Sequence, residues 1–227
     1  MSRQAQQINS KDDAGQESAV PSKQRILDAA SLAFAKDGID GVSLRQITTA
    51  AGTNSASVNY HFKSKADLVH EVLDDLARRV NERRIAALEA LFKERDSGGA
   101  PDIGDLIDIF LSPYLEPDRP HEGVLLTKLL HAHRAAPSSI TTEIVKKRFD
   151  PLATRFVDAL KTLYPELDRS VLVWRYFFMV GGVLLGVSEV VTSSRLNSVS
   201  EGAIEVARME DLRVQLVSFL TGGFAEK

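Results

Sequence analysis

From Ser22 onward, apolar residues recur every three to four positions, the period of a helix with one buried face. Ile26, Leu27, Ala30, Ala33 and Phe34 form the first such stripe, and Gly38 closes it. Ser43 then precedes Leu44-Arg45-Gln46. This S-x-x-Q capping box opens a short helix with Leu44, Ile47, Ala50 and Ala51 facing inward, ended by Gly52. Thr53-Asn54-Ser55 supplies a turn and a new N-cap for a third helix, whose apolar face is Val58 and Phe62. Ser64, with Asp67 three residues on, is the next cap, and its helix is predicted to run to roughly Arg95. No strand-like alternation interrupts this series.

Gly98-Gly99-Ala100-Pro101 breaks the chain. Beyond it the pattern predicts helices near 102–115, 122–136, 139–163, 166–194 and 204–223. They are separated by the Pro113/Pro117/Pro120 stretch, Pro137, Pro165 and a Ser/Asn-rich loop at 192–200. Pro151 falls inside the 139–163 helix and predicts a kink there. Residues 1–21 have no apolar period and no signal-peptide h-region. They are expected to be a disordered tail in which Arg3 and Lys11 add loose phosphate contacts. The longest uncharged apolar stretch is Tyr176–Ser188, between Arg175 and Glu189, which suits a core helix better than a membrane span.

Composition narrows the function classes. At 227 residues with 44% hydrophobic and 26% charged, the chain suits one or two soluble domains with a proper core. The absence of Cys excludes a disulfide scaffold, a thiolate metal site and a cysteine nucleophile, and agrees with a reducing, cytoplasmic setting. The net charge of −3 hides a distribution: −1 over residues 1–21, +3 over 22–65 and −5 over 66–227. A short basic segment ahead of a long acidic one is the layout of a nucleic-acid module attached to something else.

That basic segment contains two short helices joined at Gly52, a helix-turn-helix layout in which the second helix enters a major groove. Its outward residues would be Thr53, Asn54, Ser55, Ser57, Asn59, Tyr60 and His61, small or hydrogen-bonding types that let a helix approach base edges. Tyr60 and Lys65 suit phosphate oxygens. The alternative for the same pattern is a helical hairpin with a polar face.

Residues 22–70 resemble the tetracycline-repressor (TetR) family of bacterial transcription regulators. The resemblance rests on Arg25-Ile26-Leu27-Asp28-Ala29-Ala30, Phe34-x-x-x-Gly38, Val42-Ser43-Leu44-Arg45-Gln46-Ile47, Ala50-Ala51-Gly52 and Val58-Asn59-Tyr60-His61-Phe62-Lys63-Ser64-Lys65-x-x-Leu68. Asn59 departs from the Tyr often found at its position, so an operator sequence does not carry over. The resemblance implies an all-α fold, with a three-helix DNA-binding domain at 22–68 and a ligand-binding and dimerisation domain at 69–227. It implies that Ser43 and Arg45 meet backbone or a flanking base. Thr53, Asn54, Ser55 and Ser57 would face bases or phosphates, and Tyr60, His61 and Lys65 would clamp the backbone. For His61 local packing is the competing role, and Asn59 either touches a base or does not.

The resemblance further implies a homodimer formed by the last two long helices, with Gly182, Val183, Gly186, Val190, Leu212, Leu216 and Phe219 as interface candidates. Packing within one protomer is the alternative for these residues. It implies a double-stranded DNA operator as partner and a small hydrophobic effector. Candidates to line the pocket are Phe110, Tyr114, Leu126, Leu130, Phe156, Trp174 and Phe178, with Arg134 and Arg148 to neutralise an anion. The Asn59-Tyr60-His61-Phe62 run and the Leu172–Gly182 stretch resemble members that respond to fatty acids or acyl-CoA thioesters.

No cofactor is expected, and no metal: His131 and His133 are two apart on a helix and point in different directions. No nucleophile elbow, phosphate loop or convincing carboxylate pair suggests an enzyme. An activator, or a helical ligand- or protein-binding regulator, would share the same architecture.

Overall fold

The computed structural model describes residues 21–93, 101–192, 194–204 and 208–225. Among them every regular element is helical. They are α1 (Ser22–Gly41), α2 (Leu44–Ala50), α3 (Ser55–His61), α4 (Lys65–Lys93), α5 (Ile103–Leu115), α6 (Pro120–Ala135) and α7 (Ser139–Ile144). A π-helical turn follows (Val145–Phe149), then α8 (Asp150–Leu163), α9 (Arg169–Thr192), α10 (Ser194–Val199) and α11 (Met209–Ala225). The expected tail, apart from Pro21, and the Gly98-Gly99-Ala100 break lie outside the described residues.

Side-chain caps set the starts of α2, α3, α5 and α7. Ser43 and Gln46 form the capping box of α2, and Asn54 accepts from the Ser57 amide at α3. Asp102 pairs with Asp105 at α5, and Ser138 with Thr141 at α7. Gly38 (φ 78°) breaks the regular ladder of α1 near its end. Gly52 adopts φ 60°, a left-handed turn between α2 and α3 that a side chain would strain.

The structure refines three expected features. Pro113 does not separate helices: it sits in the last turn of α5, where it cannot donate to the Ile109 carbonyl. The Ser112 hydroxyl donates to that carbonyl instead, at 2.9 Å. Around Pro151 the 139–163 stretch is not one regular α-helix. The proline occupies the first turn of α8, and the chain before it widens into the π turn, where the Asp150 amide reaches back to the Val145 carbonyl. The wide turn relieves the missing amide and the crowding of the Lys147 carbonyl by the proline ring. The 192–200 loop is largely helical, as α10.

α1, α2 and α3 enclose a small core of Ile26, Phe34, Ile47, Val58 and Phe62, onto which the start of α4 packs. α4 then continues without a break into the body, passing the 68/69 boundary expected from the sequence, and its later turns contact α5, α6 and α8. Glu122 of α6 is fully buried and is held by Arg79 (2.8 Å) and Arg83 of α4. Asp74 of α4 takes a bidentate pair from Arg148 of the π turn, at 2.7 and 2.6 Å. α5 packs on α11, joined by Arg213 to Asp108 (2.7 Å). Arg169–Val191 is long and apolar enough to cross a membrane, but Leu172, Tyr176, Met179, Val180, Val183 and Val187 on it are buried in this core.

Candidate nucleic-acid interface

α3 is anchored by its inward residues and presents the rest. Val58 and the C-terminal Phe62 are buried, each 2% exposed, while Ser55, Asn59 and Tyr60 face outward, Tyr60 at 85%. An aromatic that open on a two-turn helix gains nothing from the core, and its hydroxyl makes no side-chain hydrogen bond among the described residues. Arg45 is likewise exposed on the outer side of α2, next to the shallow groove formed by Ser43, Gln46, Thr49 and Ala50.

Several expected contact residues already have work inside the chain. The Ser43 hydroxyl and the Asn54 side-chain carbonyl are the caps of α2 and α3, and the Thr53 hydroxyl donates to the Asn54 carbonyl at 3.2 Å. The Ser57 hydroxyl lies 3.3 Å from Asn54 Oδ1. His61 departs furthest from the expected phosphate clamp. Its Nε2 is 2.8 Å from Ser22 Oγ, and its ring sits 5.0 Å from that of Tyr60 and 6.1 Å from that of Phe62. The histidine ties the end of α3 to the start of α1, which is local packing. Ser22, its partner, was not distinguished by the sequence pattern, because a serine at a helix start reads as a cap.

The basic side chains complete the surface. Lys23 pairs with Glu71 at 2.9 Å, but Arg25, Lys36, Arg45, Lys63 and Lys65 make no ion pair among the described residues. Lys63 and Lys65 flank the N-terminus of α4, whose dipole disfavours cations. Ser64 caps this end by accepting from the Asp67 amide at 3.1 Å. Two unpaired lysines stand where a helix favours anions, and charge of this kind suits phosphate oxygens, which helix amides also attract. Lys63 was not singled out from sequence.

A model of "Bacterial regulatory proteins, tetR family" matches residues 26–72, and one of "Tetracyclin repressor-like, C-terminal domain" matches residues 108–223. The chain belongs to the TetR family. TetR-family proteins are DNA-binding transcriptional regulators and not enzymes. The chain is 32% identical over 80 residues to the HTH-type transcriptional regulator AcrR of Shigella flexneri, covering 35% of each protein. It is 40% identical over 53 residues to the HTH-type transcriptional repressor KstR2 of Mycolicibacterium smegmatis, covering 23% of this chain and 26% of that one. The matched segment thus spans about a third or less of these relatives' length. The fold is shared with the fatty acid degradation regulator FadR of Bacillus halodurans, with a TM-score of 0.63 at 15% identity over 92% of this chain and 98% of that one. It is also shared with a transcriptional regulator from Saccharomonospora viridis in complex with choline, with a TM-score of 0.67 at 18% identity over 87% and 94%.

In this TetR-family chain the residues expected to line a ligand pocket do not form one group. Phe110, Tyr114, Leu126 and Phe156 are buried together in the body, and Leu130 is half-buried beside them. Trp174 and Phe178 are instead on the outer surface of α9, at 66% and 64% exposure, with their rings stacked 6.0 Å apart. Residues four apart on a helix share a face, and here that face points away from the core. Arg148 is committed to Asp74. The pair raises the guanidinium pKa and holds the Asp74 carboxyl below its ordinary value, so this arginine is a strut between α4 and the π turn. Arg134 is exposed at the end of α6. His133 Nδ1 lies 3.3 Å from Thr141 Oγ1.

The expected dimer residues also divide. Val183 and Leu216 are buried within the protomer. A Cβ on Gly182 would stand 3.3 Å from Leu216, and one on Gly186 only 2.4 Å from Leu212. The two glycines therefore admit α11 of the same chain against α9, the packing within one protomer that was the alternative for these residues, and both stay half-buried along the groove between the two helices. Val190 is half-buried at the edge of a groove between α9 and α11, and Phe219 is 76% exposed. The outward apolar face is Trp174, Phe178, Leu185 and Phe219. Periodicity did not separate it from the inward face, because α9 is apolar on both sides.

A cleft of about 590 Å³ separates α1 and α2 from α6, lined by Leu32, Ala33, Lys36, Gln46, His121 and Val124 among others. Burial lowers the pKa of His121. Beside the cleft, Lys128 of α6 donates to the Ala35 carbonyl of α1 at 2.7 Å.

Proposed function

We propose that the chain is a cytoplasmic, homodimeric repressor that is released from a palindromic operator when a small apolar effector binds its C-terminal body. The observation that carries the DNA contact is the outer surface of α2, α3 and the start of α4. Ser55, Asn59 and Tyr60 are exposed there between the unpaired Arg45, Lys63 and Lys65. Asn59 and Ser55 suit base edges, while Arg45, Tyr60 and the two lysines suit phosphates. One helix-turn-helix unit reads only a few base pairs, so specific affinity needs a second copy at a fixed spacing. The exposed Trp174, Phe178, Leu185 and Phe219 face supports a dimer, since an apolar patch of this kind marks an interaction surface.

An effector acts through its differential affinity for the operator-competent and incompetent spacings. Rigid links carry the change from body to reader. α4 runs through both, and Lys128 grips the end of α1 from α6, the helix that also holds Glu122 between Arg79 and Arg83. Fatty acids and acyl-CoA thioesters are among the effector classes that an apolar body suits.

The test is the electrophoretic mobility of DNA from upstream of the chain's own gene, measured across a salt series. The wild-type protein is expected to retard it, and Lys65→Ala is expected to weaken binding on all sequences and to lower the salt slope by about 1. An unchanged slope overturns the phosphate role of Lys65, and no retardation at low salt overturns the function.

A further inference from the structure

We infer that the effector of this body is a small molecule with a free carboxylate and an apolar body, and that the carboxylate is received by the buried guanidinium of Arg84. The inference rests on the ligand-responsive reading above and names the chemistry of its site. Arg84 lies on α4 in register with Leu73, Ala77, Val80 and Leu88, a stripe that is otherwise apolar, and it is 1% exposed. It makes no ion pair among the described residues. One terminal nitrogen donates to the Phe110 carbonyl, the other lies 3.4 Å from Asn81 Oδ1, and Nε is buried without any partner. Its remaining neighbours are the Phe110 ring, with the guanidinium carbon 4.4 Å from the centroid, and the neutral Tyr114, whose centroid is 5.9 Å away and whose hydroxyl also faces the guanidinium.

The same body shows how this fold treats a buried charge that is structural. Glu122, also wholly buried, is met by two guanidinium groups. Arg84 has no such counter-charge, and a cation so far from water is costly unless an anion joins it. A carboxylate fits the need better than a neutral group, because it takes two parallel hydrogen bonds from the guanidinium fork. Burial lowers the Arg84 pKa and raises that of Tyr114, and Tyr176 is pushed up to about 12. Both phenols therefore stay protonated and able to donate to an arriving anion.

The surroundings suit the rest of such a molecule. Phe110, Phe156 and Tyr176 form an aromatic cluster with centroids 5.4 to 6.2 Å apart, directly beyond the guanidinium. An apolar chain or ring lodges here when the Phe110 ring leaves its place over Arg84. The neighbouring backbone is irregular where it must yield. α5 carries Pro113 just past Phe110, and the side-chain amide of Asn81 donates to the Arg148 carbonyl of the π turn at 2.9 Å. Arg84 is nineteen residues along α4 from Lys65, or roughly 28 Å of helix, so one rigid element joins the carboxylate to the phosphate-facing end.

The experiment uses the full chain, with decanoate and phenylacetate as probes and their methyl esters as uncharged controls. Binding is measured by calorimetry and thermal shift, and DNA retardation is measured in parallel. At least one acid is expected to bind and stabilise the wild type, with its ester about 10- to 100-fold weaker. Arg84→Met is expected to stay helical and no less thermally stable without ligand, and to bind acid and ester alike. Arg84→Lys is expected to keep part of the preference for the acid. The proposal is overturned if esters bind as well as acids or if neither acid binds. It is also overturned if Arg84→Met retains the acid preference, or if that variant unfolds, which would make Arg84 a structural group. DNA retardation with no acid binding leaves the regulator standing and removes this site; acid binding without retardation does the reverse.

Discussion

Cations at the two ends of this molecule are treated in opposite ways. Around α2, α3 and the start of α4, Arg45, Lys63 and Lys65 are left without intramolecular partners, and Tyr60 stands in solvent beside them. In the body, Arg78, Arg79, Arg83, Arg148 and Arg213 are each tied to a carboxylate on their own helix or on the one packed against it. The body's acidic excess thus holds helices together, while the reader's basic excess is available to a polyanion outside. A net charge averages over these two uses and reports neither. Arg84 differs from those five arginines in being buried without a carboxylate among the described residues, and that difference carries the inferred ligand chemistry.

The contrast is broken most severely at Glu122. Glu122→Gln leaves Arg79 and Arg83 facing a neutral amide, although both are partly exposed and Arg79 keeps Asp75 at 2.9 Å. The expected cost is therefore at the lower end for a broken buried pair, about 3 kcal/mol. For a chain of this size that lowers the melting midpoint by roughly 6–12 °C. Thermal unfolding followed by circular dichroism checks it. The control is Arg208→Ala, which removes an exposed i,i+3 pair with Asp211 and should leave the midpoint unmoved. Equal effects for the two variants would contradict the account of the body.

A middling effect is expected at Asp74, where the bond and charge of Arg148 hold the carboxyl below its ordinary value of 3.8. A depressed folded-state pKa contributes stability that is complete above the unfolded value and is lost as pH falls through the folded one. The gap in unfolding free energy between wild type and Asp74→Asn should be about 1.5–3 kcal/mol near neutrality. It should hold steady down to about pH 4 and shrink below that. Denaturant titrations at stepped pH read the gap directly, and a gap that widens in acid would refute the pairing.

How much of this was legible in the sequence follows the same division. Caps and turns are local, so Ser43, Gly52, Asn54 and Ser64 announced α2, α3 and α4 with nearly the observed bounds. The outward placing of Asn54, Ser55, Asn59 and Tyr60 was legible too, because short helices with one apolar face leave little choice of orientation, whereas the turn of His61 toward Ser22 was not. What stayed hidden depended on distant partners. Arg148 read as a spare cation until Asp74, 74 residues away, was seen beside it. For Gly182 and Gly186 the pattern could not say that α11 of the same chain packs against them. Arg84 did leave a signal, an arginine in the core register of α4, but its meaning required knowing that no acid among the described residues reaches it.

The smallest effect separates the two kinds of polar residue within the reader itself. Asn54 and Asn59 are both exposed asparagines five residues apart, and composition alone would give them one role. Asn54 Oδ1 accepts from the Ser57 amide at 2.9 Å and so closes the N-terminus of α3, whereas the Asn59 side chain makes no hydrogen bond among the described residues. Asn54→Ala should cost about 1 kcal/mol of stability through the lost cap. Asn59→Ala should leave the midpoint within error, since surface substitutions away from such features lie within about 0.5 kcal/mol. On DNA the order reverses in kind: Asn59→Ala changes which sequences bind, while Asn54→Ala weakens all of them by loosening the helix that reads them. Melting curves and mobility shifts on a set of operator variants check both halves. If Asn59→Ala melts early or leaves sequence preference intact, then it is a structural residue, and the groove-facing side of α3 must be drawn through Ser55 and Tyr60 alone.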